Sequence, residues 1–406
     1  SGPLIFLLIS FFTGLSMGAG VTISRYFGAG DYDRVSRAIH TDVMLGLISG
    51  VILTVVGVWL TPMFLRWMGT APEVLPDAIA YFRYYFIGVL AVVMYNMCKS
   101  IMNALGDSKR PLYYLIISSL TNIVLDLLFI GAFHWGVWSA AVATTISQAV
   151  SMILCMIHLM KKGTIYQVEL KKLHIDREML GQIVRYGLPS GLQNSVIAIA
   201  NVVVQSNINV FGTMAVAGCG AYSKIEGFAF LPITSFTIAI TTFVGQNLGS
   251  GRTDRAQRGT RIAVLMSMAT TFLVMVPVLI AAPALVTFFN RKAEVIAYGS
   301  LFLRAISPFY LVMCIYQVYA GALRGAGNSR VPMIIMLASF VAFRQCYLFI
   351  MTRYISNEIL PIAFSYPAGW LVCSGLMLLY YRKMRLGRSS LLERESAAPS
   401  AGDCPG

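Results

Sequence analysis

Two polar side chains stand four residues apart inside an apolar run. In TNIVLDLLFI, residues 121–130, they are Asn122 and Asp126. On a helix, positions four apart share one face, so the carboxamide and the carboxylate can act together. Burial raises a carboxyl's affinity for a proton and a nearby cation lowers it. Such a group can take up H+ or Na+ from one side of a barrier and release it to the other. A second reading is a polar pair that only joins helices, through an interhelical hydrogen bond worth about 0.6 kcal/mol. A charge at the middle of a membrane helix costs about 2.5–3.5 kcal/mol. Under either reading Asp126 is expected to face a bundle interior or an aqueous cavity.

A second polar series lies in residues 188–211, where Asn194, Asn201 and Gln205 are spaced 7 and 4 apart at helical period. Facing lipid, such a stripe would be unsatisfied, so it lines a substrate path or packs against neighbouring helices. Arg344, beside Gln345, lies deep in an apolar run and is a further candidate for the substrate path. Lys224 and Glu226 read as residues near a helix start on the outer side, where long side chains reach water. Lys99 also falls within an apolar run. Enzyme chemistry finds no constellation: the four histidines are scattered near helix ends, and neither GxSxG nor HExxH occurs. The seven cysteines show no CxxC or Cys/His spacing, so no zinc site or disulfide framework is implied. No cofactor or bound metal is expected beyond H+ or Na+ at Asp126.

The elements that carry these residues follow from composition. The chain is 57% hydrophobic and 12% charged, with a mean hydropathy of +0.72. A soluble domain carries about a quarter charged residues, so a large soluble enzyme is excluded. The apolar residues fall in blocks of roughly 20, the length a helix needs to cross ~30 Å of hydrocarbon. Eleven spans are expected, at 4–24, 38–61, 80–105, 111–132, 137–160, 188–211, 222–247, 258–288, 295–325, 331–355 and 358–382. The net charge of +14 collects in alternate loops: Arg25 to Arg37, Lys109–Arg110, the six cations of 161–185, Arg252 to Arg261, Arg324–Arg330, and Arg382 to Arg388. This bias places the 161–185 linker and the C-terminus in the cytoplasm. A nucleic-acid partner is not expected, because no continuous basic face with interleaved aromatics is formed. Residues 387–406 read as a disordered cytoplasmic tail.

An internal repeat organises the spans. Shifting the sequence by 221 lays FGAGDYDRVSR (27–37) on LGSGRTDRAQR (248–258) and LGDSKRP (105–111) on AGNSRVP (326–332). Pro62, Arg83 and Tyr95 meet Pro283, Arg304 and Tyr316 at the same shift. Both glycine loops lie on the basic side, so the copies have the same orientation and are parallel repeats. GAG and GSG follow helices and lack the strand and GK[ST] ending of a phosphate loop, so they read as helix caps. Helix 188–211 has no partner in the first copy. The expectation is an all-α membrane protein of two six-helix bundles, with eleven helices here and the first one missing. The N-terminal bundle occupies 1–160, the cytoplasmic linker 161–186 and the C-terminal bundle 187–386.

Taken together, GAGVTISRYFGAGD, NALGDSKRP, GLPSGLQNSV, TTFVGQNLGSGR and GALRGAGNSRVP resemble the multidrug and toxic compound extrusion (MATE) family, and most closely its DinF-like bacterial branch. The resemblance runs from about residue 4 to 385. It implies two bundles around a central cleft that export amphipathic, often cationic, small molecules in exchange for H+ or Na+. It further implies an ion site in the N-terminal bundle. The family's fourth-helix Asn resembles Asn96, its fifth-helix Asn and Asp resemble Asn122 and Asp126, and its sixth-helix hydroxyl resembles Thr144. The family's first-helix Asp falls on the missing helix. Other branches bind the ion through an acid on the helix equivalent to 188–211, which has none here, so the N-terminal site is favoured. The expected protein is a monomer in the bacterial inner membrane whose partners are lipid and a small-molecule substrate. Two alternatives stand beside it, a lipid-linked oligosaccharide flippase of the same superfamily and a non-transporting membrane scaffold.

Overall fold

A computed structural model describes residues 2–67, 72–164, 166–355 and 358–384, with side chains from residue 11 onward. The expected tail at 387–406, with Arg388 and Cys404, lies outside the described residues. Those residues form helices and no strand, as a chain must where no water can satisfy its backbone. The first are α1 (Gly2–Ala29), α2 (Tyr32–Trp67), α3 (Leu75–Ala104), α4 (Lys109–Asp126), α5 (Trp138–Leu159) and α6 (Arg177–Asn209). Then follow α7 (Thr213–Gly249), α8 (Thr253–Ile280), α9 (Ala282–Phe289), α10 (Ala293–Ile306) and α11 (Tyr310–Gly325). Last are α12 (Arg330–Leu337), α13 (Arg344–Ile350), α14 (Ile359–Ala363) and α15 (Ser365–Lys383). Ten stretches among the described residues are long and apolar enough to cross a membrane. With α1 they account for every span expected from the sequence.

The helix ends differ from those expectations. The expected span 38–61 is part of α2, which starts at Tyr32, and 188–211 is part of α6, which starts at Arg177. Hydropathy falls at the charged residues, but Arg34, Arg37, Glu178 and Arg185 continue the helix into the polar region. The expected span 258–288 is interrupted between α8 and α9. The span 295–325 is interrupted by a 3-10 turn over Ser307–Phe309, where Pro308 withholds an amide. The repeat-related turns agree in backbone: Gly30 and Gly251 have φ of 75° and 73°, and Gly106 and Gly327 have 90° and 81°. Those left-handed values are the helix-capping use of glycine.

The chain divides into two compact units, Ser1–Gly191 and Leu192–Gly406. In the first, α5 packs against both α3 and α4, and α3 packs against α2 and α1. Its core holds Ile23, Ile39, Met94, Cys98, Ile101, Leu159 and Ile183. The start of α6 meets α1 at glycines. A Cβ on Gly18 would stand 2.3 Å from the Ile183 carbonyl oxygen, and one on Gly14 would stand 2.3 Å from the Gly191 nitrogen. The segment before α6 is pinned to α2. Thr41 Oγ1 accepts from the Asp176 amide at 3.1 Å, His40 Nε2 accepts from the Glu169 amide at 3.1 Å, and Arg37 Nε donates to Asp176 Oδ2 at 2.8 Å. The core of the second unit is aromatic, with Tyr222, Phe302, Tyr310, Tyr316, Phe340 and Trp370.

Candidate functional site

Asp126 is the last residue of α4, and a π-helical segment, Leu127–Ala132, follows it. Such segments recur at functional positions. Along α4, Leu112, Ile116, Leu120, Ile123 and Leu127 form an exposed stripe at helical period. Ser118, Asn122 and Asp126, each four residues on from the last, lie on the opposite side. Ser118 Oγ donates to the Ser147 carbonyl of α5 at 2.5 Å. Helices joined by the short 133–137 connection run antiparallel with equal rise. Counting from the Ser118–Ser147 bridge therefore puts Ala143, next to Thr144, level with Asn122 and Ser139 level with Asp126, one turn further on.

Polar atoms over these two turns are unsatisfied. Asp126 Oδ1, Asn122 Nδ2 and Ser139 Oγ are buried without a hydrogen-bond partner. Thr144 Oγ1 donates to the Ala140 carbonyl at 2.9 Å, which leaves its lone pairs available. An orphaned buried polar group costs about 1–3 kcal/mol, so the two orphaned oxygens at the Asp126 turn form a place that a bound cation would complete. Asp126 Oδ1 and Ser139 Oγ are oxygens, suited to a proton or a hard cation rather than a transition metal, whereas Asn122 Nδ2 is an N–H donor that would orient an acceptor. Among the described residues no group of three or more His, Cys, Asp or Glu could hold a metal ion.

Asn96 does not join this level. Thr145 of α5 lies against Gly88 of α3 and donates to the Tyr84 carbonyl at 3.1 Å. Asn96 is eight residues further along α3, about 12 Å at 1.5 Å per residue, toward the Gly106 turn. Its amide donates to the Val92 carbonyl at 2.8 Å.

Two carboxylates were not recognised from the sequence for what they are. Asp42 on α2 is 0% exposed, and both its oxygens lack a partner. It lies one turn from Gly46, which packs against Met94 and Met97 of α3. It is also the one acid in the expected span 38–61, and that was the available signal. Glu226 was read as lying near a helix start. The structure starts α7 at Thr213, which places Glu226 13 residues, or about 20 Å, inside the helix. It accepts a hydrogen bond from the Tyr222 hydroxyl. The misreading arose because the turns of α7 before residue 222 are rich in small residues and are less apolar. Lys224 keeps its exposed position, with Nζ 5.3 Å from the centre of the Phe289 ring.

The second unit gathers Arg344 and Asn201. Arg344 is 2% exposed, and its Nη2 donates to Asn201 Oδ1 at 2.8 Å. Its guanidinium lies 5.8 Å from the Phe340 ring centre and 5.4 Å from that of Tyr366, and Nε has no partner. Gln345 Nε2 donates to the Ala200 carbonyl at 3.1 Å. Gln205 is turned to Asn209, donating to its Oδ1 at 3.0 Å, and Asn194 is half-buried. The expected polar stripe thus divides, with Asn201 on Arg344 and Gln205 on Asn209. Arg324, absent from the expected site, is 4% exposed and donates to Gln193 Oε1 at 3.3 Å. Neither arginine forms an ion pair among the described residues.

Comparison with known proteins supplies the context. The model of the MatE family matches residues 1–128 and 189–345. A probable multidrug resistance protein, YoeA of Bacillus subtilis, is 26% identical over 387 residues, covering 94% of this chain and 84% of that protein. The probable multidrug resistance protein NorM of Thermotoga maritima is 27% identical over 390 residues, covering 94% and 82%. In fold, the chain matches an outward-facing multidrug resistance MATE family transporter of the MOP superfamily with a TM-score of 0.90, at 24% identity, covering 96% of this chain and 87% of that one.

Proposed function

The chain belongs to the MatE family of membrane transporters, which are not enzymes, and from that premise we propose that it is a cation-coupled antiporter exporting amphipathic small molecules across a bacterial inner membrane. One observation carries the coupling: the unsatisfied oxygens of Asp126 and Ser139, with Asn122 and Thr144 one turn away. A proton or Na+ bound at Asp126 supplies the missing partner. The bound and empty forms then differ in how this part of the first unit packs. The π-helical segment after Asp126 can absorb the change, since its looser bonding lets one turn reset without breaking the helix. A ligand shifts a conformational equilibrium only through its different affinity for the two states, and an orphaned carboxylate provides such a difference. We assign Asp42 as a second carboxyl of the same cycle, buried on α2 with no hydrogen-bond partner among the described residues.

A second reading concerns the cargo. Arg324 and Arg344 are buried without an ion pair among the described residues, and Arg344 lies against two rings. Together they favour cargo carrying an acidic group on an aromatic plane, and a flippase with acidic cargo shares that requirement. The test is transport by the protein in sealed vesicles, with a pH gradient and a Na+ gradient imposed separately. The probes are rhodamine 123, a cationic ester, and rhodamine 110, its free acid. Accumulation driven by one gradient supports antiport, and absence of transport under both overturns it. Preference for the free acid, lost in Arg344→Met, supports the second reading. Equal handling of both dyes by wild type and variant overturns it.

A further inference from the structure

At the Gly106 turn the first unit has an open pocket of about 530 Å3 that the transport reading does not use. Its wall includes Lys109, Arg110, Tyr113, His158 and Tyr166. Arg110 is fixed in place: its Nη1 donates to Asp107 Oδ2 at 2.7 Å and to His158 Nε2 at 3.1 Å. Those bonds use one nitrogen and leave Nε and Nη2 for an incoming acceptor. Lys109 is exposed and forms no ion pair among the described residues. Asp107 is the one carboxylate in the wall, and Arg110 already engages it. Two cations thus face one committed acid, a balance suited to an anionic group such as a phosphate diester.

The surroundings narrow the ligand. Tyr113 lines the pocket and also begins the exposed apolar stripe of α4, which runs through Ile116, Leu120 and Ile123 to Leu127. Leu112 is 54% exposed at one end and Leu127 67% at the other. The 15 residues between them cover about 22 Å of helix, more than the ~15 Å of hydrocarbon in one leaflet. A basic pocket at the mouth of an apolar face fits a molecule with an anionic head and an acyl tail. Repeat symmetry does not account for it. At the related turn, Arg330 replaces Lys109, but Val331, Ile334 and Leu379 stand where Arg110, Tyr113 and His158 do.

We propose that the pocket at Lys109, Arg110 and His158 binds the headgroup of an anionic phospholipid whose acyl chain lies on the exposed face of α4. Basic pockets between membrane helices on the cytoplasmic side bind such headgroups, each Lys or Arg strengthening the attraction several-fold. The proposal does not depend on what the protein transports.

The test is native mass spectrometry of the full chain in detergent, titrated with dioleoyl phosphatidylglycerol, with dioleoyl phosphatidylcholine, or with glycerol 3-phosphate. Phosphatidylglycerol is expected to bind at least tenfold more tightly than phosphatidylcholine. Lys109→Gln, which breaks no bond in the protein, is expected to weaken binding about fivefold, and the Lys109→Gln/Arg110→Gln pair further. Arg330→Gln at the repeat-related turn is expected to leave it unchanged. Thermal unfolding of each variant separates lost binding from lost folding. Equal binding of the two lipids, wild-type binding by Lys109→Gln, or an equal loss in Arg330→Gln overturns the proposal. Displacement of lipid by equimolar glycerol 3-phosphate overturns it in favour of a soluble phosphate ester.

Discussion

Replacing Asp42 is expected to stabilise the protein while stopping coupled transport. The carboxylate is fully buried, and neither oxygen has a hydrogen-bond partner. Its position, one turn from Gly46, where α2 packs on Met94 and Met97, offers no donor among the described residues to replace lost water. Asp42→Val substitutes an apolar side chain of similar size. Relieving an unsatisfied buried acceptor recovers about 1–3 kcal/mol, and slight overpacking offsets part of it. In a unit of 191 residues, 1 kcal/mol corresponds to about 2–4 °C in Tm. The expected rise is therefore about 2–10 °C for Asp42→Val, and a smaller one for Asp42→Asn, whose amide stays unsatisfied. The assay is thermal unfolding followed by a thiol-reactive dye, since Cys98 is buried in the same core. Dye efflux under imposed gradients is measured on the same preparations. A lower Tm in both variants would refute the geometric argument, because Asp42 would then have a partner. A raised Tm with wild-type coupled efflux would leave Asp42 a tolerated defect and remove it from the cycle.

Two further perturbations test the frame around the site. Asp176 Oδ1 accepts the Glu178 and Met179 amides at 2.9 and 3.1 Å and so caps α6; Asp176→Ala is expected to cost about 1 kcal/mol, read as faster hydrogen exchange over 166–176. The Met179 amide, with Arg37 adding to it, holds the Asp176 carboxyl below its ordinary range. The linkage sign follows from a depressed folded value: this stabilisation is full above the ordinary value of about 3.9 and is lost as pH falls through the folded one. Protection factors in 166–176, with the intrinsic pH dependence of exchange removed, should therefore be flat from pH 8 to 5 and fall in more acid solution; a fall already at pH 6 would contradict this. Gly18→Ala places a Cβ 2.3 Å from the Ile183 carbonyl oxygen and is expected to cost about 1–3 kcal/mol through overpacking. Gly220→Ala, which meets nothing within 4 Å, should not, and equal melting of the two variants would refute the close α1–α6 approach.

The fold was legible wherever the signal was local. A run of roughly 20 apolar residues marks a membrane helix whatever it packs against, and one unbroken offset of 221 links turns whose glycines share a left-handed backbone. Helix ends were not legible, because Arg34 or Glu178 changes hydropathy without ending a helix. The same division separates the carboxylates. Asp126 stood out because apolar residues flank it on both sides. Asp42 lies five residues beyond Arg37 and reads as the water-facing end of a span. Burial comes to that part of α2 from segments more than 120 residues away, through the Thr41–Asp176 and His40–Glu169 bonds. Ser139 carried no signal, because a membrane-helix serine commonly bonds its own backbone; its orphaned hydroxyl is visible only once α4 and α5 are placed side by side. Asn96 was carried by resemblance alone, and its distance along α3 emerged only from the packing of Thr145 on Gly88.

The central claim is that Asp126 couples the gradient to export, and Asp126→Asn in proteoliposomes tests it most directly. The variant keeps the size of the side chain and removes the group that binds the cation. Uphill accumulation of rhodamine 123 or rhodamine 110 under whichever gradient drives the wild type should vanish. Thermal unfolding and dye binding should stay within error of wild type. Gradient-driven accumulation at the wild-type rate in Asp126→Asn would contradict the account.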